Sequence, residues 1–139
     1  MSPVEGAGVA APDARAARRK RLRAVLTAIM IGIGVLHFVV PDVFTSIVPA
    51  YLPAPRALVL VSGVFEILGG VGLQIPRVRR AASYGLVALY ISVFPANVNM
   101  VVHPELGHGI PTWALWGRLP LQIVLIAWAL WVGRSPVKR

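Results

Sequence analysis

Cysteine is absent from this 139-residue chain, and acidic residues are scarce, with 5 Asp and Glu against 14 Lys and Arg. The lack of cysteine excludes disulfides, thiolate metal ligands, iron–sulfur clusters and a cysteine nucleophile. Charged residues make up 14% of the chain, well below the roughly 25% typical of soluble domains. The composition therefore argues against a soluble domain, and any redox chemistry would need a borrowed cofactor.

Hydrophobic residues account for 57% of the chain and lie mainly in four apolar runs, at residues 22–40, 57–75, 81–102 and 113–132. An α-helix needs ~20 apolar residues to cross the hydrocarbon core at 1.5 Å per residue. Transmembrane β-strands are shorter and alternate polar with apolar residues, which these runs do not. The sequence predicts an all-α polytopic membrane protein with a four-helix bundle over residues 21–133.

The two ends of the chain are predicted to lie outside this bundle. Residues 1–20 are interpreted as a disordered basic tail, and residues 134–139 as a basic cytoplasmic tail. A cleavable signal peptide is the competing interpretation of the first run. That run ends in His-Phe-Val-Val-Pro-Asp and not in a small-x-small cleavage site, so an uncleaved span is favoured.

The basic residues predict how the chain is oriented across the membrane. All but two of the 14 Lys and Arg residues flank the predicted spans on one side, and the exceptions are Arg56 and Arg118. Because Lys and Arg accumulate on the cytoplasmic side, both termini are predicted to be cytoplasmic, in a bacterial inner membrane. The net charge of +9 is then a topology signal and a contact for anionic lipids, with no nucleic-acid partner.

Glu66 is the only acidic residue deep within a predicted span. A charge at that depth costs roughly 2.5–3.5 kcal/mol to insert, and such residues face the interior of a bundle. The small residues around it at helical spacing, Ser62, Gly63, Gly69 and Gly70, predict that another helix packs closely there. Two interpretations stay open, a structural glutamate that holds the bundle together or a functional group beside a ligand.

Depth counting along the spans places further polar groups near this glutamate. The predicted intramembrane polar cluster, which is also the candidate ligand-binding site, consists of Glu66, His37, Asn97, Arg118 and Gln122. Arg118 is predicted either to neutralise Glu66 or to extend outward to water. No catalytic residue is predicted.

The third predicted span carries two further signals. Pro95 cannot donate a backbone hydrogen bond, so a kink and a free carbonyl at Ile91 are expected. Ser83, Tyr90 and Asn97 recur every seven residues and share one helix face. Such a stripe is more typical of hydrogen bonds between membrane helices than of residues that line a ligand-binding site.

A string of three residues in the last connection suits a metal ion. His103, Glu105 and His108 form the pattern H-x-E-x-x-H, and imidazole and carboxylate groups bind zinc or other divalent ions. Flexible loop residues meet this pattern readily. No metal site is therefore predicted, and these three residues are only weak candidates.

The chain resembles the DoxX-like family of small four-helix bacterial membrane proteins in four segments. In chain order they are LHFVVPDVFTSIVPAYLP, SGVFEILGGVGLQIPRVRR, VFPANVNM and GRLPLQIVLIAWAL. The resemblance covers about residues 22–132. It matches the family at His37, Pro49, Pro53, Ser62, Gly63, Glu66, Gly69, Gly70, Pro95, Asn97, Arg118, Pro120 and Gln122.

This resemblance implies a redox-linked accessory subunit of the inner membrane. It would bind a quinone or a similar lipophilic molecule near Glu66, because an apolar slot with donors and acceptors suits the quinone carbonyls. No autonomous activity is expected, since flavin motifs and paired haem ligands are absent and another membrane or redox protein would have to supply electrons. The alternatives are a non-catalytic assembly or stability factor that docks a membrane protein and, third, a small-solute transporter; a homo-oligomer is compatible with each.

Overall fold

Five α-helices and one short 3₁₀ helix make up the computed structural model, which describes residues 14–134. The helices are α1 (Ala14–Val39), α2 (Pro41–Ser46), α3 (Pro55–Gln74), α4 (Arg79–Val102) and α5 (Thr112–Gly133), and the 3₁₀ helix is Pro104–Gly107. No strand occurs in the described range. The predicted all-α fold is confirmed, and the four helices other than α2 are long and apolar enough to cross a membrane.

Helix α1 begins earlier than the sequence predicts. Residues 14–20, part of the segment predicted to be disordered, form its first turns. These residues are mostly Ala, Arg and Lys, which have high helix propensity, so the helix continues beyond the apolar run. The prediction of disorder is thus corrected for residues 14–20. The remaining parts of the two predicted tails, residues 1–13 and 135–139, lie outside the described residues.

The four long helices give the bundle two chemically different ends. The basic end contains the start of α1, the turn between α3 and α4, and the end of α5. There Arg79 Nε donates to the Leu73 carbonyl at 2.8 Å, and Arg19 Nη1 donates to the Arg134 carbonyl at 3.4 Å. The loop end contains α2, the 3₁₀ helix and the two longer connections. Within residues 14–134, the basic residues that the sequence groups together therefore share one end of the bundle.

The helices pack as two pairs, α1 with α3 and α4 with α5, which meet along α3 and α4. The main cluster of the buried hydrophobic core lies toward the basic end and consists of Leu26, Met30, Leu73, Leu86, Tyr90, Ala129 and Val132. Val59, Met100 and Leu115 are also buried but lie outside this cluster. Toward the loop end, a cavity lies between the helices. The core thus holds the helices together at one end and leaves room for a site at the other.

Residues 41–53, within the connection between α1 and α3, form a roof over that cavity. Helix α2 begins at Pro41, because the fixed φ of proline suits the first turn of a helix. Asn99 Nδ2 on α4 donates to the Ile47 carbonyl at 3.0 Å, and Pro49 is buried. These contacts attach the roof to the bundle.

Candidate functional site

The site depends on a close crossing of α1 and α3 at two glycines. A Cβ on Gly34 would lie 2.8 Å from the Gly63 carbonyl oxygen, and a Cβ on Gly63 would lie 2.7 Å from the His37 Cβ. Glycine permits this separation because it has no side chain. His37 and Glu66 each follow one of these glycines by three residues, so the crossing brings the two side chains together on adjacent helices.

His37 and Glu66 form the first polar group of the site. His37 Nδ1 lies 2.8 Å from the Ile33 carbonyl oxygen and 3.2 Å from Glu66 Oε2. Because a carbonyl only accepts, Nδ1 carries a hydrogen and donates it to Ile33. The contact with Glu66 is close, yet the buried Oε2 has no hydrogen-bond partner among the described residues. The His37 ring also stacks on Phe44 of α2, with ring centroids 3.9 Å apart.

Arg118, Asn97 and Gln122 form the second polar group, between α4 and α5. Arg118 Nη2 and Nε donate to Asn97 Oδ1 at 3.3 and 3.4 Å. Asn97 Nδ2 donates to Gln122 Oε1 at 2.6 Å, and Gln122 Nε2 donates to the Tyr90 carbonyl. Each amide is used as both donor and acceptor, so the chain of hydrogen bonds has one direction and holds the guanidinium in place.

Both polar groups line one cavity of about 630 Å³, a volume within the ~300–1,000 Å³ typical of small-molecule sites. Most of the remaining wall is apolar. The roof contributes Phe44 and Leu52. Val61 and Phe65 of α3 also line the cavity and are 52% and 56% exposed. The cavity therefore reaches the apolar side of the bundle as well as its interior.

All five residues of the predicted polar cluster line this cavity, but their partners differ from the prediction. Glu66 contacts His37. Arg118 donates to Asn97 and does not pair with Glu66, and Asn97 is a partner that the sequence did not predict. Depth counting gives the position along a helix and leaves the direction of the side chain around the helix axis undetermined, so it did not distinguish the candidates.

The small residues predicted for helix packing lie on two faces of α3. Gly63 and Gly70 face α1, and Gly69 packs directly against Leu86 of α4. Ser62 lines the cavity. The single predicted stripe is therefore two contact lines, because α3 lies between α1 and α4 and packs against both.

Helix α4 continues through Pro95. No side-chain hydrogen bond within residues 14–134 reaches the Ile91 carbonyl that Pro95 leaves without its helical donor; the Tyr90 carbonyl, one residue earlier, accepts from α5. Ser83 Oγ, on the same face, donates to the Ala129 carbonyl of α5 at 2.8 Å. The predicted stripe on α4 thus makes contacts between helices, while its loop-end members also line the cavity.

The three weak metal candidates do not form one group, because two of them contact each other and the third contacts a serine. His103 Nδ1 is 3.3 Å from Glu105 Oε1, whereas His108 Nε2 is 2.8 Å from Ser46 Oγ of α2. Within the described part of the chain, no group of three or more His, Asp or Glu residues could hold a metal ion.

Sequence reasoning missed Gly34 and Phe44 as parts of the site. Gly34 precedes His37 by the same three residues that separate Gly63 from Glu66, and this matched spacing was the available signal for a crossing. Phe44 gave a weaker signal, because an aromatic residue in a proline-rich connection also suits a membrane interface. Its role depends on how the roof folds back over the bundle.

The hydrogen bond between Asn97 and Gln122 leads to a testable prediction. In a double-mutant cycle of Asn97→Ala and Gln122→Ala, we expect a coupling free energy of about 1 kcal/mol, in the upper part of the range for hydrogen bonds between membrane helices. Unfolding free energies in mixed micelles would measure it. The control cycle combines Asn99→Ala with Gln122→Ala and should be additive, because Asn99 bonds to the roof. Equal coupling in both cycles would contradict the assignment.

The fold and the site define an all-α bundle with four candidate membrane spans around a mostly apolar cavity that contains two polar groups. The family model that matches the chain is described as Domain of unknown function (DUF8561) and covers residues 25–133. The chain belongs to this family. No curated protein and no solved structure matches it.

This finding overturns the DoxX-like resemblance, and the quinone and oxidoreductase associations that followed from it have no support. The matched motifs consist largely of glycine, proline and single polar residues within apolar helices. Close helix packing favours such residues in any small membrane bundle, so their order does not identify one family.

Proposed function

We propose that this protein binds a lipophilic small molecule in the cavity, with a polar part of the molecule against Glu66. The observation that carries the proposal is the Glu66 side chain, which is 10% exposed and contacts His37 Nδ1 at 3.2 Å, while its Oε2 receives no hydrogen bond within residues 14–134. A buried carboxyl without a hydrogen bond costs free energy. A ligand that donates to it removes that cost, and the apolar wall suits the rest of the molecule.

A membrane location is part of the same proposal. The four apolar helices support a multi-pass membrane protein, and the arginines at the basic end support a cytoplasmic position for both termini in an inner membrane. The cavity would then lie in the outer half of the bilayer, roofed by residues 41–53. Its opening at the apolar side of the bundle would let a ligand enter from the surrounding lipid, the immediate partner of the protein.

The test is retention of a bound molecule. The chain is reconstituted in nanodiscs made from a total bacterial membrane lipid extract and analysed by native mass spectrometry, and we expect one molecule to remain bound after the bulk lipid is removed. Ala96→Trp should lower the occupied fraction at least tenfold, because Ala96 lines the cavity and the added indole occupies ligand space.

Ala88→Trp is the matched control, since Ala88 is exposed on the same helix and does not line the cavity. It should leave the occupied fraction unchanged. The proposal fails if the wild-type chain retains nothing above the level of Ala96→Trp. It also fails if the two variants lose the molecule equally, because binding would then not involve the cavity.

A further inference from the structure

The second polar group of the cavity contains a positive charge that no acidic residue within residues 14–134 neutralises. Arg118 is half-buried and lines the cavity. The acid–base contacts within residues 14–134 are His37 with Glu66, Arg56 with Asp42, and His103 with Glu105. None of them includes Arg118, so its guanidinium faces the cavity with only neutral hydrogen-bond partners.

Arg56 provides a comparison within the same chain. It lies at the loop end, is largely exposed, and donates to Asp42 Oδ1 at 2.6 Å. Water and a carboxylate thus satisfy the exposed arginine, whereas the arginine of the cavity has neither a carboxylate nor full contact with solvent. A half-buried cation without a counter-ion is costly beside an apolar wall, and an anion in the cavity would remove that cost.

The hydrogen-bond chain explains how Arg118 stays in position without a counter-ion. Asn97 Oδ1 accepts from both Nε and Nη2 of Arg118, and Gln122 orients the Asn97 amide from the other side. A guanidinium has five N–H groups, so several remain for a ligand. Arginine presents these groups in a planar fork that matches carboxylate and phosphate oxygens.

The shape of the cavity indicates where the rest of such a ligand would lie. α3 and α4 touch toward the basic end, where Gly69 packs against Leu86 and a Cβ on Gly72 would lie 2.7 Å from the Ala82 Cβ. Toward the loop end, the same faces of the two helices line the cavity, and Phe65 of α3 is half-exposed there. An apolar chain can therefore leave the cavity between α3 and α4.

We propose that the ligand is an anionic amphiphile whose carboxylate or phosphate group is bound by Arg118 and whose apolar chain extends between α3 and α4 into the bilayer. This inference rests on the proposed function and names its ligand class. The Glu66 carboxyl, on the opposite pair of helices, then accepts a hydrogen bond from a donor elsewhere in the same molecule. Both unsatisfied groups of the cavity are thereby used.

The test compares four probes that share a twelve-carbon chain and differ in the head group: dodecanoate, dodecyl phosphate, 1-dodecanol and dodecylammonium. Each is titrated into phosphatidylcholine nanodiscs that contain the full chain, and bound probe is counted by native mass spectrometry. We expect at least one of the two acidic probes to bind about tenfold or more tightly than 1-dodecanol. The stronger of the two identifies the acidic group as a carboxylate or a phosphate.

Variants then assign the preference to one residue. Arg118→Gln should make the acidic and neutral probes bind equally, Arg118→Lys should retain part of the preference, and the control Arg56→Gln should leave it unchanged because Arg56 lies outside the cavity and has its own carboxylate. The wild-type comparison alone remains decisive if Arg118→Gln does not fold.

The outcomes separate this inference from the proposed function. Equal or stronger binding of 1-dodecanol would overturn the anionic ligand and leave the cavity as a site for a neutral lipophile. Preference for dodecylammonium would also overturn the anionic ligand, because Glu66 would then be the residue that binds the charged head group. An acidic preference that survives in Arg118→Gln would overturn the role of Arg118. Retention of none of the four probes would overturn the anionic amphiphile, whereas the proposed function fails only if nothing is retained from the membrane lipid extract.

Discussion

Replacing Gly34 by valine is expected to lower the free energy of unfolding by about 3 kcal/mol and to separate His37 from Glu66. The Cβ alone would lie 2.7 Å from Ile67 Cγ1 and 2.8 Å from the Gly63 carbonyl oxygen. The backbone of α3 cannot move aside as a flexible side chain can, so α1 and α3 must separate. Overpacking of this kind costs ~1–3 kcal/mol or more.

Gly32→Val is the matched control for this prediction. Gly32 lies on the same helix, and a Cβ there would have no neighbour within 4 Å. Valine has a helix propensity slightly better than that of glycine, so the control should be neutral or slightly stabilising. Chemical denaturation in mixed micelles measures both variants, and Gly34→Ala should fall between Gly34→Val and the wild type. Equal destabilisation by Gly32→Val and Gly34→Val would show that α1 and α3 do not cross at this glycine.

Replacing Glu66 by leucine is expected to stabilise the empty protein and to weaken ligand binding. The substitution removes a buried carboxyl that has no hydrogen bond and adds apolar surface of similar size. A buried polar group without a partner costs ~1–3 kcal/mol in proteins, so the free energy of unfolding should rise by about that amount. His37 keeps its hydrogen bond to the Ile33 carbonyl, so the rest of the site should remain in place.

The binding effect should have the opposite sign. In nanodiscs made from the membrane lipid extract, the occupied fraction should fall about tenfold, which corresponds to the loss of one hydrogen bond to a charged or acidic group. Stability is measured by denaturation of the delipidated protein in micelles, and occupancy by native mass spectrometry. Glu105→Leu is the control, because the Glu105 side chain is 70% exposed at the loop end, and both quantities should stay near the wild-type values.

The sign of the stability change separates the two interpretations of Glu66 that the sequence leaves open. If the glutamate holds the bundle together, leucine should destabilise the protein, because a useful interaction is lost. If the glutamate serves a ligand, leucine should stabilise the empty protein, because functional groups are retained at the expense of stability. A variant that is less stable yet binds normally would assign the residue to the structure alone.

The cavity residues show how far sequence reasoning reaches. Run lengths and the rise per residue predicted which polar side chains lie at similar depths, and all five of them line one cavity. For Arg118 the sequence left two alternatives open, pairing with Glu66 and extension outward to water. The structure places His37 beside Glu66 and Asn97 beside Arg118. In each case the two residues lie on the two helices of one packed pair, α1 with α3 or α4 with α5.

The sequence by itself determined the helical fold, the four candidate spans and the basic end, because these depend on composition and on order along one dimension. Tertiary structure decided the partner of each polar residue, the division of the small residues between two faces of α3, and the roof over the cavity. These features depend on the rotation of each helix about its axis and on the distances between helices. Both are set by close packing at Gly34, Gly63 and Gly69, where the atoms of a neighbouring helix determine what fits.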